Sequence, residues 1–377
     1  MTEFGQAVRH HWTLDWNATH LNHGSYGATR KPVLAAQDAV RQDMERAIGD
    51  FFRQLPKRLR GAAAELGAYL GAEGKDIAFV DNATAGAQAV IGSLTLEPGD
   101  EILINDQTYN AVKNIVRHEA ARSGAKVVEI VLPFPVEDDG SSIVEAFAAA
   151  LSPRTRLVVL DHITSATAVV MPLERLTEAA HKVGALVFVD GAHGPGQVPV
   201  ELGELGADFY TGNCHKWLCG AKGAAFLWAK PEHQAWLHPA VVSHGLGQGF
   251  TAEFDWTGTK DPSPYLSVPA ALAFRQSFGD SRIKARNREL AEAAGAELAR
   301  TWKTRLGAPP ALAGSMRMIR LPIDSGGAPE TRLRLWERHR IDVPVNALAG
   351  GLWVRISAQL YNESEDYRRL GRAVLQL

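Results

Sequence analysis

Lys216 and Asp190 carry the most distinctive chemistry in this chain of 377 residues. Asp190 ends the apolar run Ala185-Leu186-Val187-Phe188-Val189, and Lys216 follows the β-prone run Phe209-Tyr210-Thr211. A lysine amine after a buried strand can hold an aldehyde covalently. A carboxylate at the end of an earlier strand can keep a pyridine nitrogen protonated, so that the ring accepts electrons from a carbanion. Together they suit pyridoxal 5′-phosphate (PLP). Each alone also has a plainer reading, as a solvated loop lysine or a turn aspartate. The pair draws its weight from its surroundings.

Several polar clusters supply those surroundings. Asn82-Ala83-Thr84-Ala85-Gly86 opens a predicted helix after the strand Ile77–Val80. Exposed amides and a threonine hydroxyl there suit a phosphate, although an ordinary N-cap has the same look. Tyr109 follows the strand Glu101–Ile104 and is either a ring that stacks on a flat cofactor or a core aromatic. Asp161-His162-Ile163-Thr164-Ser165 and Asp190-Gly191-Ala192-His193 follow two further strands. Both are read as ligand contacts or as turn chemistry. Arg355, in Leu352-Trp353-Val354-Arg355-Ile356-Ser357, is either a fork for a substrate carboxylate or a surface ion-pair residue. The 13 histidines show no H-E-x-x-H spacing and the cysteines no C-x-x-C, so no metal is expected.

These residues need a scaffold. From Asp76 to about Leu227 seven short β-rich runs alternate with helical stretches such as Ala111–Ser123, Ile143–Leu151 and Leu173–Val183. That alternation predicts an α/β fold with a mostly parallel sheet covered on both faces. Ligands in such sheets sit at the carboxyl ends of the strands, where Asp190 and Lys216 are expected. Pro32–Leu70 reads as helical with a break at Pro56, and His244–Pro264 as a Gly-rich aromatic loop. Helices follow at Val268–Phe278 and Ile283–Leu306. Met316–Leu377 reads as a smaller α+β domain. The expected division is an arm at 1–20, a large domain at 21–265 and a small domain at 266–377.

Composition narrows the partners. With 46% hydrophobic residues, 22% charged residues and a net charge of -2, the chain shows no basic footprint for nucleic acid or an anionic membrane. Met1-Thr2-Glu3-Phe4 has no signal-like pattern and no apolar run is long enough to span a bilayer, so a cytoplasmic location is expected. Cys214 and Cys219 flank Lys216; the plain reading is small buried side chains.

In order and spacing, these segments resemble the PLP-dependent enzymes of fold type I, aminotransferase class V, in the isopenicillin N epimerase-like branch. The resemblance rests on Leu21-Asn22-His23-Gly24-Ser25-Tyr26-Gly27, Asn82-Ala83-Thr84, Asp161-His162-Ile163-Thr164-Ser165, Asp190-Gly191-Ala192-His193, His215-Lys216-Trp217, Trp256-Thr257-Gly258-Thr259-Lys260-Asp261 and Arg355-Ile356-Ser357-Ala358-Gln359-Leu360-Tyr361-Asn362. It implies that Lys216 binds the cofactor, that Asp190 partners its ring nitrogen and that His193 contacts its phenolic side. Tyr109 would stack on the ring, and Ser165 would contact the cofactor. Ala83, Thr84, Asn213 and His215 would form the phosphate cup, completed by Thr259 of a neighbouring protomer in a homodimer. Arg355 would take the substrate carboxylate, with Asn22, His23, Ser25 and Tyr26 at the mouth.

The implied activity is chemistry at Cα of an amino acid or its derivative: epimerisation first, with carbon–sulfur lysis or transamination as alternatives. No cysteine lies beyond Cys219, which argues against the persulfide relay of cysteine desulfurases. Tyr26, His23 and His215 are the candidates for a second acid. A non-catalytic binding protein on the same scaffold is disfavoured by the intact Lys216–Asp190 pair. A dinucleotide-binding dehydrogenase is disfavoured because no glycine fingerprint follows the first strand.

Overall fold

A computed structural model describes residues 4–323 and 326–377; Met1 to Glu3 of the expected arm lie outside them. Seven strands form the main sheet: β1 (Ile77–Val80), β2 (Glu101–Asn105), β3 (Lys126–Ile130), β4 (Thr155–Asp161), β5 (Leu186–Asp190), β6 (Phe209–Asn213) and β7 (Ala225–Ala229). Their spatial order is β1-β7-β6-β5-β4-β2-β3. Strands β3, β2, β4, β5 and β6 run parallel, and β7 is antiparallel to both its neighbours. A second, antiparallel sheet contains β8 (Met316–Arg320), β9 (Val345–Leu348) and β10 (Gly351–Ser357), in the order β9-β10-β8.

The apolar runs are continuous because alternate residues feed two cores. Ile77, Phe79, Val158, Leu160, Val187 and Val189 pack on one face. Ala78, Val80, Leu157, Val159 and Phe188 pack on the other. A strand with period 2 must do this when helices cover both sides. Strand β3 departs from that pattern: Lys126 and Glu129 are exposed, as suits an edge strand that must not recruit another chain.

The longer helices are α1 (Lys31–Arg46), α2 (Ile48–Leu70), α3 (Ala83–Ser93), α4 (Asn110–Ser123), α5 (Ser141–Ala150), α6 (Leu173–Lys182), α7 (Val268–Phe278), α8 (Asp280–Trp302), α9 (Ala328–His339) and α10 (Ser364–Val374). Two helical expectations change. The break in the first helical region falls at Ala47, with φ -146° and ψ 62°, and Pro56 lies inside α2. Pro56 is exposed while Phe51, Leu55, Leu59 and Ala62 bury a continuous face around it. That packing offsets the hydrogen bond a proline removes. The region 244–264 is also not all loop: Phe250–Asp255 is helical, and a further turn begins at Ser263.

The N-terminal segment docks on the C-terminal part. Thr19 and His20 pair in parallel with Ile341 and Asp342. Val8 and Trp12 share a core with Phe278, Leu360 and Tyr361. This brings residues 22–26 to the edge where the main sheet ends. Among the described residues no helix is long and apolar enough to cross a membrane.

Candidate active site

The carboxyl ends of β4, β5 and β6 open on a cavity of about 390 Å³. Asp190 ends β5 and pairs in register with Asp161 at the end of β4. Both are buried, and both line the cavity. Burial pushes the Asp190 carboxyl up, against the backbone N–H of Ala192 and the Lys216 charge. Asp161 is raised by burial and by the Asp190 charge. Its Oδ2 has no hydrogen-bond partner among the described residues.

Lys216 sits across from this pair. Its Nζ lies 3.1 Å from His193 Nε2. The indole Nε1 of Trp217 donates to His193 Nδ1 at 3.3 Å. An indole N–H only donates, so Nε2 carries the proton of a neutral His193. Lys216 then faces an N–H and accepts from it only as the neutral amine. Burial works in that direction, lowering Lys216 to about 8 while the Asp190 charge opposes the shift, so the neutral amine predominates above that pH. Burial likewise holds His193 well below its ordinary value. A buried neutral amine is the form that attacks an aldehyde.

The loop bearing Lys216 is fixed from behind. Buried Arg275 donates to the carbonyls of Trp217, at 2.9 Å, and Gly196, at 3.0 Å. Gly27, at φ 69°, lies so close that a Cβ would meet the His215 carbonyl oxygen at 1.9 Å. Sequence reasoning missed Arg275, since a lone arginine in an amphipathic helix carries no signal. It read Asp161 only as part of a polar cluster at the sheet edge, although a carboxylate ending a strand beside Asp190 was a more particular sign.

The N-terminus of α3 forms another part of the cavity wall. The Asn82 side chain caps α3 by accepting from the Ala85 N–H at 2.9 Å. The Ala83 N–H donates to the Asn213 side chain at 3.0 Å, which ties α3 to β6. At Gly86 a Cβ would stand 2.3 Å from Thr211 Oγ1, so only glycine lets α3 pack this close. Thr84 and His215 complete this part. Burial lowers His215 to about 4, with the Lys216 charge adding to the shift.

Of the residues expected in the site, Ala83, Thr84, Tyr109, Ser165, Asp190, His193, Asn213, His215, Lys216, Ser25 and Tyr26 line this cavity. Arg355 lines an adjoining chamber. It is buried and is not a surface ion-pair residue: Nη1 donates to the Ser165 carbonyl and Nη2 to Ser25 Oγ at 3.0 Å. Its Nε has no hydrogen-bond partner among the described residues. His23 and Asn22 stand outside. His23 Nδ1 meets the Tyr361 hydroxyl at 3.0 Å and Nε2 meets the Lys216 carbonyl at 3.0 Å, so its ring props the lysine loop from behind. Burial drives it down to about 3. Asn22 faces Asp342. Thr259 is exposed and away from the cavity of its own chain. A larger hollow of about 800 Å³, with Tyr69, Asp280 and Lys284 in its wall, lies elsewhere. Chemistry, not size, marks the site. Among the described residues no cluster of metal-ligating side chains occurs.

Two strand-end carboxyls, a buried amine and a helix N-terminus on one cavity fit a flat, phosphorylated pyridine aldehyde. Fold and site together define a PLP-dependent enzyme of fold type I. The chain belongs to the aminotransferase class-V family, whose model matches residues 34–370. It is 34% identical to a probable chloroplastic L-cysteine desulfhydrase of Arabidopsis thaliana, over 99% of this chain and 85% of that protein. It is 36% identical to the isopenicillin N epimerase of Amycolatopsis lactamdurans, over 98% of both. In fold it is similar to a C-DES mutant with glycine covalently linked to its PLP cofactor, with TM-score 0.82 and 23% identity over 97% of this chain and 98% of that one.

Proposed function

We propose that this chain removes the α-proton of an amino acid and, when the substrate is a cysteine substituted on sulfur, expels the thiolate from Cβ. One observation carries the reading. The Lys216 amine and the Arg355 guanidinium line one chamber, and the cavity behind it is floored by Asp190. Bound PLP supplies the electron sink that stabilises a carbanion at Cα.

The chain's own residues do the rest. Arg355 takes the α-carboxylate in its fork, with Ser25 and the Ser165 carbonyl setting its angle. Asp190 keeps a positive charge on the ring nitrogen. Ala83, Thr84, Asn213 and His215 hold the phosphate, and Tyr109 covers the ring. Lys216 accepts the α-proton, a role worth on the order of 10²–10⁴ in rate. The sulfur leaves with the C–S electron pair and is protonated. One water converts the remaining three carbons to pyruvate and ammonia.

Elimination needs only this one base. The relatives named L-cysteine desulfhydrase support it. Epimerisation, which leads the sequence-based reading, is the second reading. It requires a proton delivered from the other side, and Tyr26 favours it, because its ring lines both chambers. The relatives named isopenicillin N epimerase support this outcome. The test is the holoenzyme in D₂O with L-cysteine, S-substituted cysteines and L- and D-amino acids, followed by chiral chromatography and mass spectrometry. Pyruvate with free thiol marks elimination, a deuterated inverted isomer marks epimerisation and an oxo acid marks transamination. No exchange at Cα with any compound sinks the reading. We further propose a homodimer with a shared site, a cytoplasmic location and the division into arm, large and small domains at residues 20 and 265.

A further inference from the structure

The cavity around Lys216 continues outward into a chamber of about 490 Å³. Tyr26, Tyr109 and Lys216 line both spaces. Two guanidiniums line the outer one, Arg355 from β10 and Arg332 from α9. They are close enough to repel: Arg355 is lowered to about 10, first by burial and then by the Arg332 charge. No carboxylate of the described residues pairs with Arg355. Among the described residues Arg332 pairs only with Asp342, at 3.8 Å, well beyond the length of a charge-assisted hydrogen bond. Asp342 also accepts from Asn22 Nδ2 at 3.1 Å. Asn22 Oδ1 accepts from Ser25 Oγ at 2.5 Å, and Ser25 accepts from Arg355. A polar chain therefore joins the two arginines through Asp342, Asn22 and Ser25.

The other charges of the chamber are engaged. Lys113 binds Glu129 at 2.7 Å and the Asp106 carbonyl at 2.6 Å. The Asp106 carboxylate accepts from the Leu132 N–H at 3.0 Å. Beside the Asp106 carboxylate and Lys216, two guanidiniums remain without a close carboxylate partner among the described residues. A substrate with only an α-carboxylate satisfies one of them.

We propose that Arg332 binds a second anionic group, and that the substrate class is an S-substituted cysteine whose sulfur arm ends in a carboxylate. This rests on the reading above, in which Arg355 takes the α-carboxylate. The arm's carboxylate displaces Asp342 from Arg332. Asp342 keeps its hydrogen bond from Asn22, so the chain to Ser25 and Arg355 stays intact.

Paired probes separate charge from size. S-Carboxymethyl- and S-(2-carboxyethyl)-L-cysteine are compared with their neutral amides, which match them in shape. Dissociation constants come from the absorbance change of the holoenzyme, and kcat/KM from thiol release. The expected result is tighter binding of at least one acid over its amide, by about fivefold for a half-exposed arginine. The preference should fall toward one in Arg332→Gln and weaken with salt. Equal affinity for each acid and its amide, or a preference that survives Arg332→Gln, overturns the proposal. The titration reads binding whether or not elimination follows. A charge preference without thiol release sinks elimination and leaves this inference standing; thiol release without a charge preference does the reverse. If none of the four compounds binds, this inference fails, and elimination is judged on L-cysteine and the other S-substituted cysteines.

Discussion

The inner cavity and the outer chamber share a wall but are held in place by different means. Inside, Asp161 and Asp190 end paired strands, and Lys216 follows β6 with both flanks of its loop pinned by Arg275 and Gly27. These side chains have nowhere else to go. Outside, Arg332 is about half exposed and reaches Asp342 only at 3.8 Å, while Tyr26 is 68% exposed. Burial also sets the chemistry inside, since desolvation shifts Lys216, His193 and Asp190 toward their neutral forms. Of the two outer arginines, Arg355 alone is buried and held, by Ser165 and Ser25. In the function proposed above, chemistry at Cα falls to the rigid part and choice of substrate to the adaptable part.

That contrast can be broken most severely at Lys216. Lys216→Ala should abolish turnover and the near-visible absorbance of the covalently held cofactor. Borohydride reduction and peptide mapping of the unmutated enzyme should place the pyridoxyl group on Lys216; its appearance on Lys222 would end the assignment.

Asp190→Asn comes next. It removes one preorganised charge from a water-excluded site, so α-proton exchange should fall by roughly 10²–10³-fold. It should also move a titration. Lys216 attacks an aldehyde as the neutral amine, so capture of PLP by the apoenzyme should accelerate with pH through about 8 and then level off. The Asp190 charge favours the ammonium form and raises that value. Without it the midpoint should move to lower pH. Stopped-flow absorbance across the pH range checks both; an unmoved midpoint means the two groups do not interact.

A smaller effect is expected at Thr259. If it completes the phosphate cup of the neighbouring protomer, Thr259→Ala should weaken cofactor binding by about 10–150-fold, the scale of one hydrogen bond to a charged group. Mixing Lys216→Ala with Thr259→Ala chains at limiting cofactor should restore one of the two sites, because both lesions fall in the other. No recovery from a proven heterodimer would falsify the shared site.

The smallest effect sharpens the comparison most. Tyr26→Phe should change thiol release by less than about threefold, as expected for an exposed phenol outside the proton transfer. Any deuterated inverted isomer should disappear with it. A collapse of thiol release in this variant would move Tyr26 into the rigid part of the site.

Much of this was readable along the chain. Runs such as Leu186–Val189 announce two-faced burial by themselves, because a strand covered on both sides cannot carry polar residues on either. Asp190 and Lys216 were legible for the related reason that polar residues tolerated at the end of such runs must sit at the sheet's edge. The break at Ala47 was not legible, because propensity points to Pro56 and only the packed face of α2 overrides it. His23 shows the same limit: its place beside Ser25 suggests the mouth of the site, yet the contacts that turn it to the back of the lysine loop come from Tyr361 and Lys216, far away in sequence. The tautomer of His193, the lowered amine it faces and the joining of Arg332 to Arg355 likewise depend on distances between residues remote in sequence. Local composition dictates which segments are strands, helices and polar edges, since burial pattern and backbone preference act over a few residues. The partners each side chain meets, and hence its protonation and role, arise only when the tertiary fold removes water and closes those long-range contacts.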